Sequence, residues 1–292
     1  MDAGSFTAAA EILDVTQPAV AEQVRNLERA LSIELFVRGG RGVRLTTAGS
    51  AFAERAPAVF RALEDAVASV DDVRAVRTGT LAFGLLSTPE AYGIDRYASV
   101  FAHDHPGVAL RLVGRNSSEA ADRVRRGELE AAMVSLPVDD DDLEVRPFAR
   151  DEVVYVSADP DHTRRPATIE DLTRRPLILY DAESGDRDPL RRQLNDRAQE
   201  LGLRLIPRVE AETMVMALRL VADGVGDTYV PRAHTHASYF PPALSTTSFQ
   251  PAINDTFAIV SRRGARLSPA TTVFVGGLMK HVLAAGRGVT AA

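Results

Sequence analysis

The chain has 292 residues, a length that holds two or three ordinary domains with sizeable cores. Hydrophobic residues make up 45% and charged residues 25%, which is typical of globular proteins, and no apolar run approaches the ~20 residues of a membrane helix. The net charge of −6 does not favour nucleic-acid binding, but phosphate affinity depends on local basic surface. The lack of cysteine excludes disulfides and thiolate metal sites, and no signal-peptide pattern opens the chain. We therefore expect a cytoplasmic protein that binds no membrane.

The first part of the chain, to about Thr46, is predicted to be helical with short turns. Apolar residues at helical spacing follow Ser5, and Thr16 then restarts the helix as an N-cap, with Pro18 in the first turn. The second helix ends near Ser32. Two short strand-like pieces follow, on either side of a glycine-rich turn at residues 38–42.

The second part, about Thr47 to Arg77, is predicted to form one long helix with apolar residues at roughly heptad spacing. We expect Pro57 to kink this helix or to mark its softest turn. The apolar stripe needs a partner, which is most simply the same helix of a second copy. The alternative is that the helix packs on its own C-terminal domain.

The third part, from Thr80 onward, alternates strands and helices, which predicts a mainly parallel sheet covered by helices. The chain crosses twice between two lobes, near Pro147–Val154 and Gln250–Phe257. The predicted strands are Leu81–Leu86, Val108–Val113, Ala131–Ser135, Val153–Val156, Leu177–Tyr180, Arg204–Val209, Thr228–Val230 and Phe257–Ser261, and the predicted helices are Glu90–His103, Ser118–Arg126, Glu212–Asp223 and Pro269–Leu283.

Polar residues that follow the predicted strands are the candidates for a ligand site, because sheets of this type bind ligands at the carboxyl ends of their strands. Their hydroxyls and the neighbouring helix N-termini suit a small anion, for which an organic acid is the expected class. Each hydroxyl could equally be only a cap or turn residue. The candidates are Ser87, Thr88, Asn116, Ser117, Ser135, Thr213 and Thr228.

The stretch from Gly4 to Gly49 closely resembles the DNA-binding domain of LysR-type transcriptional regulators, because its turn, cap, apolar and wing positions all fall in register. The resemblance extends more weakly over the whole chain. It implies an α/β protein with a winged helix-turn-helix over residues 1–46 and a linker and dimerisation helix over 47–77. A two-lobed effector domain like a periplasmic binding protein follows over 80–292. Lobe I would cover about 80–149 and 255–292, and lobe II about 150–254.

The resemblance places the start of the second helix at the base edges of the DNA major groove, where polar residues can read sequence. Gln17 can bond bidentately to adenine, and Ala19 can touch a thymine methyl group. Arg25, further along the helix, is expected to meet phosphate, and the wing arginines to meet the backbone or minor groove. The predicted DNA-binding residues are Thr16, Gln17, Pro18, Ala19, Arg25, Arg38, Arg41 and Arg44.

The chain departs from the family pattern at two places. Ala21 and Glu22 stand where family members often carry hydroxyl, basic or other polar residues, which puts the operator sequence in doubt. Only three residues precede Gly4, where the family has a further helix that covers the face formed by Phe6, Leu13 and Leu27. We expect either a true start upstream of Met1 or a DNA-binding domain that folds poorly.

Taken together, these features predict a sequence-specific transcriptional regulator controlled by a small effector between the lobes. The expected partners are double-stranded DNA, RNA polymerase and other copies of the chain, as a homodimer or homotetramer. One alternative is a solute-binding sensor without competent DNA binding. Another is an enzyme with a fused DNA domain, but the sequence has no phosphate-binding glycine loop, nucleophile elbow or zinc spacing. We expect no catalytic residues, cofactor or metal site, although His234 and His236 have the spacing of alternate strand residues.

Overall fold

In a computed structural model of the chain, residues 5–39, 42–114, 116–284 and 288–292 are described. The chain divides into two compact units between Asp71 and Asp72. Among the helices of these ranges, none is long and apolar enough to cross a membrane.

The first unit begins with two capped helices, α1 (Phe6–Ile12) and α2 (Gln17–Leu31). The Ser5 hydroxyl accepts a hydrogen bond from the Ala8 amide at 3.1 Å, and the Thr16 hydroxyl accepts one from the Ala19 amide at 3.4 Å. Each cap satisfies an amide that the first turn of its helix leaves without a partner. The predicted N-cap at Thr16 is therefore confirmed.

A two-stranded ribbon follows, formed by β1 (Phe36–Gly39) and antiparallel β2 (Gly42–Leu45), and leads into the long helix α3 (Thr47–Arg74). The Glu28 carboxylate on α2 accepts the Leu35 and Phe36 amides at 2.7 and 3.1 Å, which fixes the ribbon to the helix. A β-carbon on Gly49 would lie 2.0 Å from the Leu35 carbonyl oxygen, so this close approach requires glycine. Helix α3 continues through Pro57.

The apolar face of the first unit is only partly covered. Phe6 packs edge-on against Phe36, with ring centroids 5.6 Å apart, whereas Leu13 remains 64% exposed and Leu27 36% exposed. Helix α2 buries none of its residues to the level of a core position. Exposure of Leu13 and Leu27 agrees with the sequence-based expectation that this face lacks part of its cover.

The second unit is built on an eight-stranded sheet. Its main path runs β10–β6–β11–β5–β3–β4, and β9 and β12 also pair with β6. The separate pair β7–β8 is parallel. The strands are β3 (Gly79–Leu85), β4 (Val108–Gly114), β5 (Ala131–Leu136), β6 (Leu143–Ser157), β7 (Leu177–Leu179), β8 (Pro207–Glu210), β9 (Thr228–Pro231), β10 (Ser245–Ser248), β11 (Asn254–Arg262) and β12 (Val289–Ala291).

The second unit has separate cores, which define two lobes. We call lobe I the part whose core draws on residues 76–149 and 257–289, with Ala233, and lobe II the part whose core draws on residues 153–253. Strand β6 runs through both: it pairs with β11 from Leu143 to Glu152, then with β9 and β10. The helices are α4 (Ile94–Asp104), α5 (Ser117–Arg125), α6 (Ile169–Arg174), α7 (Pro189–Glu200), α8 (Met214–Ala222) and α9 (Pro269–Ala284).

The prediction of a mainly parallel sheet is wrong. Among the named strand pairs in the described part of the second unit, β3–β4, β3–β5 and β7–β8 are parallel, while β6 pairs antiparallel with β9, β10, β11 and β12. The reason is that β6 and β11 run in opposite directions side by side where the chain passes between the lobes. Antiparallel neighbours need no helical crossover between them, so the alternation of strands and helices along the sequence does not predict them.

Two predicted elements also change their form. The helix predicted over Glu90–His103 is a short 3₁₀ turn, Pro89–Tyr92, followed by α4, because Gly93 between them adopts φ +66°. A β-carbon there would lie 3.0 Å from His281 Nε2. His236 and the buried His234 lie on a 3₁₀ turn, Arg232–His236, and not on a strand.

Candidate functional site

The start of α2 presents a polar first turn to the surface of the first unit. Gln17, Pro18 and Ala19 are exposed, and Arg25 is exposed two turns further along. Thr16 is also exposed, but its hydroxyl already serves as the N-cap. The first turn therefore offers an amide side chain and a small apolar one to a molecule that approaches along this face.

The structure describes some, but not all, of the arginine side chains on the ribbon formed by β1 and β2. Arg44 lies exposed on β2, opposite Val37 on β1. Arg38 lies on β1, but its side chain is outside the described residues, as is all of Arg41. Of the three predicted wing contacts, the structure therefore locates one side chain.

Helix α3 carries a stripe of exposed apolar side chains along most of its length. Single exposed apolar residues are ordinary at a protein surface, but a continuous stripe on one helix indicates an interaction surface. We call this the α3 stripe; its members are Phe52, Val59, Phe60, Leu63, Val67, Val70 and Val73, each between 39% and 68% exposed.

A cleft lies between the lobes of the second unit at the ends of several strands. Its inner part, which we call the inner cleft, is lined from both lobes and holds about 450 Å³ of empty space when the open solvent at its mouth is included. Five of the predicted ligand residues line it, all from lobe I: Ser87, Thr88, Asn116, Ser117 and Ser135. The remaining lining is Leu86, Tyr92, Tyr180, Asp181, Asp188, Leu190, Met214, Pro231, His234 and Asp255.

Hydrogen bonds within lobe I hold these polar groups in place. The Ser117 hydroxyl accepts the Ser135 amide at 2.9 Å, and the Ser135 hydroxyl donates to Asp255 Oδ2 at 3.0 Å. Two further contacts cross the cleft. The Asn116 amide donates to Asp188 Oδ2 at 3.5 Å, and the Ser118 hydroxyl donates to the Arg187 carbonyl at 2.7 Å. The two lobes therefore touch at one side of the cleft.

The other two predicted ligand residues differ from these. Thr213 lines the outer part of the cleft, and its hydroxyl caps α8 by accepting the Met216 amide at 3.2 Å. Thr228 is fully buried in lobe II, where its hydroxyl donates to the Ile178 carbonyl at 2.8 Å. Because that hydroxyl is already used inside the lobe, we leave Thr228 out of the candidate site.

Three aspartates line the inner cleft, and none of them was among the sequence-based candidates. Asp181 and Asp188 come from lobe II, and Asp255 is the second residue of β11, beside the crossing between the lobes. Burial, together with the charges of the Asp188 and Glu212 carboxylates, raises the pKa of Asp181 to about 7, against the charge of Arg191. Burial also raises the pKa of Asp188, against the hydrogen bond from the Arg191 amide and the charge of Arg191.

Asp255 is the most deeply buried of the three. Burial holds its pKa well above the ordinary range, and the Asp188 and Asp151 charges act in the same direction, while the bond from Ser135 opposes them. Sequence reasoning missed it because antiparallel β11 begins, rather than ends, at the cleft edge. Asp181 was missed because the argument favoured hydroxyl residues, although the residue directly follows a predicted strand.

A buried polar cluster lies behind the inner cleft, where β6 passes between the lobes. Asp151 accepts the Ala233 amide at 3.0 Å and the Tyr92 hydroxyl at 3.1 Å. His234 Nδ1 contacts the Tyr239 hydroxyl at 2.6 Å, and burial lowers the pKa of His234 to about 3. This histidine is therefore uncharged at neutral pH. The cluster ties β6 and the 3₁₀ turn of His234 to lobe I.

Comparison with known proteins matches both units to one family. The model described as "Bacterial regulatory helix-turn-helix protein, lysR family" matches residues 1–50, and the model "LysR substrate binding domain" matches residues 74–283. A probable RuBisCO transcriptional regulator of Emiliania huxleyi is 32% identical over 62% of this chain, which spans 59% of that relative. The transcriptional regulator BbuR of Bordetella bronchiseptica is 31% identical over 77% of this chain and 68% of its own.

Solved structures agree on the fold. Full-length OxyR from Pseudomonas aeruginosa superposes with a TM-score of 0.74 at 20% identity, covering 96% of this chain and 94% of its own. CbnR in complex with its target DNA gives a TM-score of 0.59 at 19% identity, covering 96% and 95%. At such identities the likeness establishes the architecture, a helix-turn-helix unit followed by a substrate-binding domain. With the family models covering both units, the chain belongs to the LysR family and is a transcriptional regulator with an effector-binding domain.

Proposed function

We propose that a small effector bound in the cleft between the lobes controls how this regulator engages operator DNA in the cytoplasm. The observation that carries the proposal is that both lobes line the cleft and already form hydrogen bonds across it, Asn116 to Asp188 and Ser118 to Arg187. A ligand that contacts both lobes has different affinities for the open and closed arrangements, and that difference is what shifts a conformational equilibrium.

The DNA contacts are assigned to the first turn of α2 and to the ribbon. Gln17, Ala19, Arg25 and Arg44 are exposed, as readers of base edges and phosphates must be. The target DNA held by CbnR, a protein of the same fold, supports this assignment. Contact with RNA polymerase would then follow from the position of the bound regulator on the promoter.

A second copy of the chain completes the DNA-binding form. The α3 stripe is exposed, and pairing it with the stripe of a second copy would bury both stripes. The same pairing would bring two DNA-binding units to two half-sites of the operator. Two half-sites multiply the discrimination that one short helix achieves. A homodimer through α3 is therefore the smallest functional unit of this proposal, and a homotetramer is compatible with it.

A reversible cross-link across the cleft tests the proposal without knowledge of the effector. The chain has no cysteine, so Asn116→Cys with Asp188→Cys gives one specific pair for a short bis-methanethiosulfonate reagent, which links the two thiols through reducible disulfides. We expect the cross-linked protein to bind DNA from upstream of its own gene with a changed affinity, measured by fluorescence anisotropy, and reduction to reverse the change. The two single-cysteine variants, treated in the same way, control for the reagent. Equal affinities in the linked and reduced forms would show that the cleft does not control DNA binding.

A further inference from the structure

The inner cleft is rich in carboxyl groups, and its described lining holds no lysine or arginine. Asp181, Asp188 and Asp255 all line it, and the one basic side chain in its described lining, His234, is uncharged at neutral pH. Arg191 lies near Asp181 and Asp188, but its guanidinium is hydrogen-bonded to Glu210. A carboxylate ligand would therefore add a fourth carboxyl group to a site that already holds three and whose described lining offers it no cation.

Two buried polar atoms in this lining have no hydrogen-bond partner within the described residues. Asp255 is 5% exposed and Tyr180 is 6% exposed, and within the described part of the chain neither Asp255 Oδ1 nor the Tyr180 hydroxyl has a hydrogen-bond partner. Buried polar groups without partners cost free energy and are rare in native proteins. Both residues line the inner cleft, so a bound molecule that donates hydrogen bonds would satisfy them.

The outer part of the cleft has the same sign of charge. Among the described residues, its lining carries five carboxylates, Glu119, Asp122, Asp181, Glu183 and Glu212, against two arginines, Arg126 and Arg187. Glu119, Asp122 and Arg126 are each ion-paired with a residue outside this lining. Clefts lined by one sign of charge raise the local concentration of ligands of the opposite sign. The entrance therefore favours the same class of ligand as the interior.

We propose that the effector of this regulator is a small organic cation whose ammonium or amidinium group binds between Asp181, Asp188 and Asp255. This inference rests on the proposed function of the cleft and specifies the ligand class. It replaces the sequence-based expectation of an organic acid, which considered the hydroxyls and helix N-termini alone. The cation donates several hydrogen bonds at once, which matches three carboxylates, the Tyr180 hydroxyl and the serine hydroxyls as acceptors.

The rest of the lining favours an organic molecule over a metal ion. An apolar wall surrounds the carboxylates and suits the carbon chain of an organic ligand. It is formed by Leu86, Leu190, Met214 and Pro231. Divalent cations such as Ca²⁺ prefer six to eight oxygen ligands at close range, and three carboxyls with apolar neighbours do not supply such a shell. An alkyl diamine or a guanidino compound fits both parts of the lining.

Binding of a cation is expected to release protons from these carboxyls. Without ligand, burial favours the protonated acids, and the raised pKa of Asp181, about 7, lies within the working range. A bound cation favours the ionised acids, so affinity should rise with pH by up to about tenfold per unit for each proton released. A dicarboxylate ligand would show the opposite slope. The groups that act on these three carboxyls are Asp151, Glu212, Arg191, Arg192, Asn116 and Ser135.

The test measures binding to the full-length protein by titration calorimetry. The probes are putrescine and agmatine, with 1,4-butanediol as the neutral analogue of putrescine, succinate as the acidic one, and MgCl₂ as a metal-ion control. We expect putrescine or agmatine to bind in the millimolar range or tighter, with affinity rising from pH 6 to pH 8, and butanediol and succinate not to bind.

Three matched variants locate the site. Asp181→Asn, Asp188→Asn and Asp255→Asn remove charge while they keep side-chain shape, helix capping at Asp188 and tolerance of the φ of +56° at Asp181. We expect each to weaken amine binding by roughly tenfold to a hundredfold. Asp104→Asn, an exposed acid on α4, serves as the matched control. Thermal melting of every variant checks folding independently of binding.

The outcomes separate this proposal from the proposed function. Succinate binding that survives the Asp→Asn changes, Mg²⁺ binding in place of amines, or no amine binding at millimolar concentration would each overturn the cationic effector. In all three cases the cross-linking experiment still decides whether the cleft controls DNA binding. Amine binding with no effect of the cross-link would leave the ligand class correct and the proposed control wrong.

Discussion

At the scale of single residues, Asp151 is the buried carboxyl with the clearest consequence for stability. Its side chain is fully buried, and burial raises its pKa to about 6, against the hydrogen bonds from Ala233 and Tyr92. Because the folded-state pKa lies above the ordinary value, the carboxyl favours the folded state below about pH 4. That contribution is lost as the pH rises through 6.

Asp151→Asn removes this titration. We expect the melting temperature of the variant, relative to the wild type, to rise between pH 4.5 and pH 7.5, by the equivalent of about 3 kcal/mol at most. Asp104→Asn should follow the wild type over the whole range, since Asp104 is exposed. Parallel curves for Asp151→Asn and the wild type would contradict the assignment.

Two neighbouring glycines in α9 give opposite predictions. A β-carbon on Gly276 meets nothing within 4 Å, so Gly276→Ala should stabilise the helix by about 1 kcal/mol. On Gly277 it would lie 2.2 Å from the Tyr97 hydroxyl, which donates to the Phe274 carbonyl at 2.8 Å. Gly277→Ala should therefore destabilise by about 1–3 kcal/mol. Urea denaturation measures both, and equal effects would show that Tyr97 moves aside freely.

Individual site residues could be predicted from the sequence where the chemistry is local. Ser87, Thr88 and Asn116 lie within three residues of the ends of strands that the hydrophobic pattern locates, and all three line the inner cleft. Asp255 could not be found in this way, because its place depends on β11 pairing antiparallel with β6, which is a long-range contact. The role of Thr228 could not be predicted from the local sequence either, since its hydroxyl donates to the Ile178 carbonyl only because the two residues pack together in the fold.

At the scale of elements, α2 is the part of the chain assigned to read DNA sequence. Gln17→Ala should reduce discrimination between the operator and a scrambled sequence by about 1–3 kcal/mol, because an amide that bonds to adenine is lost. Gln23, exposed on the same helix but beyond its first turn, gives the matched change Gln23→Ala. We expect that change to leave discrimination intact in competition binding assays. If both variants lose discrimination equally, the reading face lies elsewhere on the helix.

Helix α3 is the element assigned to self-association. Phe60 is 64% exposed within the α3 stripe, so Phe60→Asp should weaken dimerisation by roughly tenfold to a hundredfold, through loss of buried apolar area. Light scattering over a dilution series measures this effect. Arg61→Ala, at the next and also exposed position, should retain the wild-type oligomer. An unchanged oligomer for Phe60→Asp would place the interface on another surface.

Elements with strong local periodicity were predictable, and those fixed by pairing were not. Helix α3 was expected over Thr47–Arg77 and is observed over Thr47–Arg74, because its apolar spacing is regular and long. Only the end of β6 was expected, as Val153–Val156, whereas the strand runs from Leu143 to Ser157. Its first half is irregular in hydrophobicity, and its pairing with β11 stabilises it.

At the scale of the whole molecule, the chain combines a helix-turn-helix unit with a two-lobed effector-binding unit. The family assignment gives the two units their general roles. Our more specific proposal, which the geometry of the cleft supports, is that closure of the lobes changes DNA binding. Differential affinity of the effector for the open and closed arrangements is the physical requirement. The chain's own contacts, from Asn116 to Asp188 and from Ser118 to Arg187, show where the lobes meet.

The most direct test of that claim is a DNase I footprint on DNA upstream of the chain's own gene. It should be recorded for the Asn116→Cys, Asp188→Cys protein with the cleft cross-linked and after reduction. We expect protected half-sites about one helical turn or a multiple of it apart, with a boundary or hypersensitive position that changes between the two forms. Identical footprints in the linked and reduced forms would contradict control of DNA binding by the cleft.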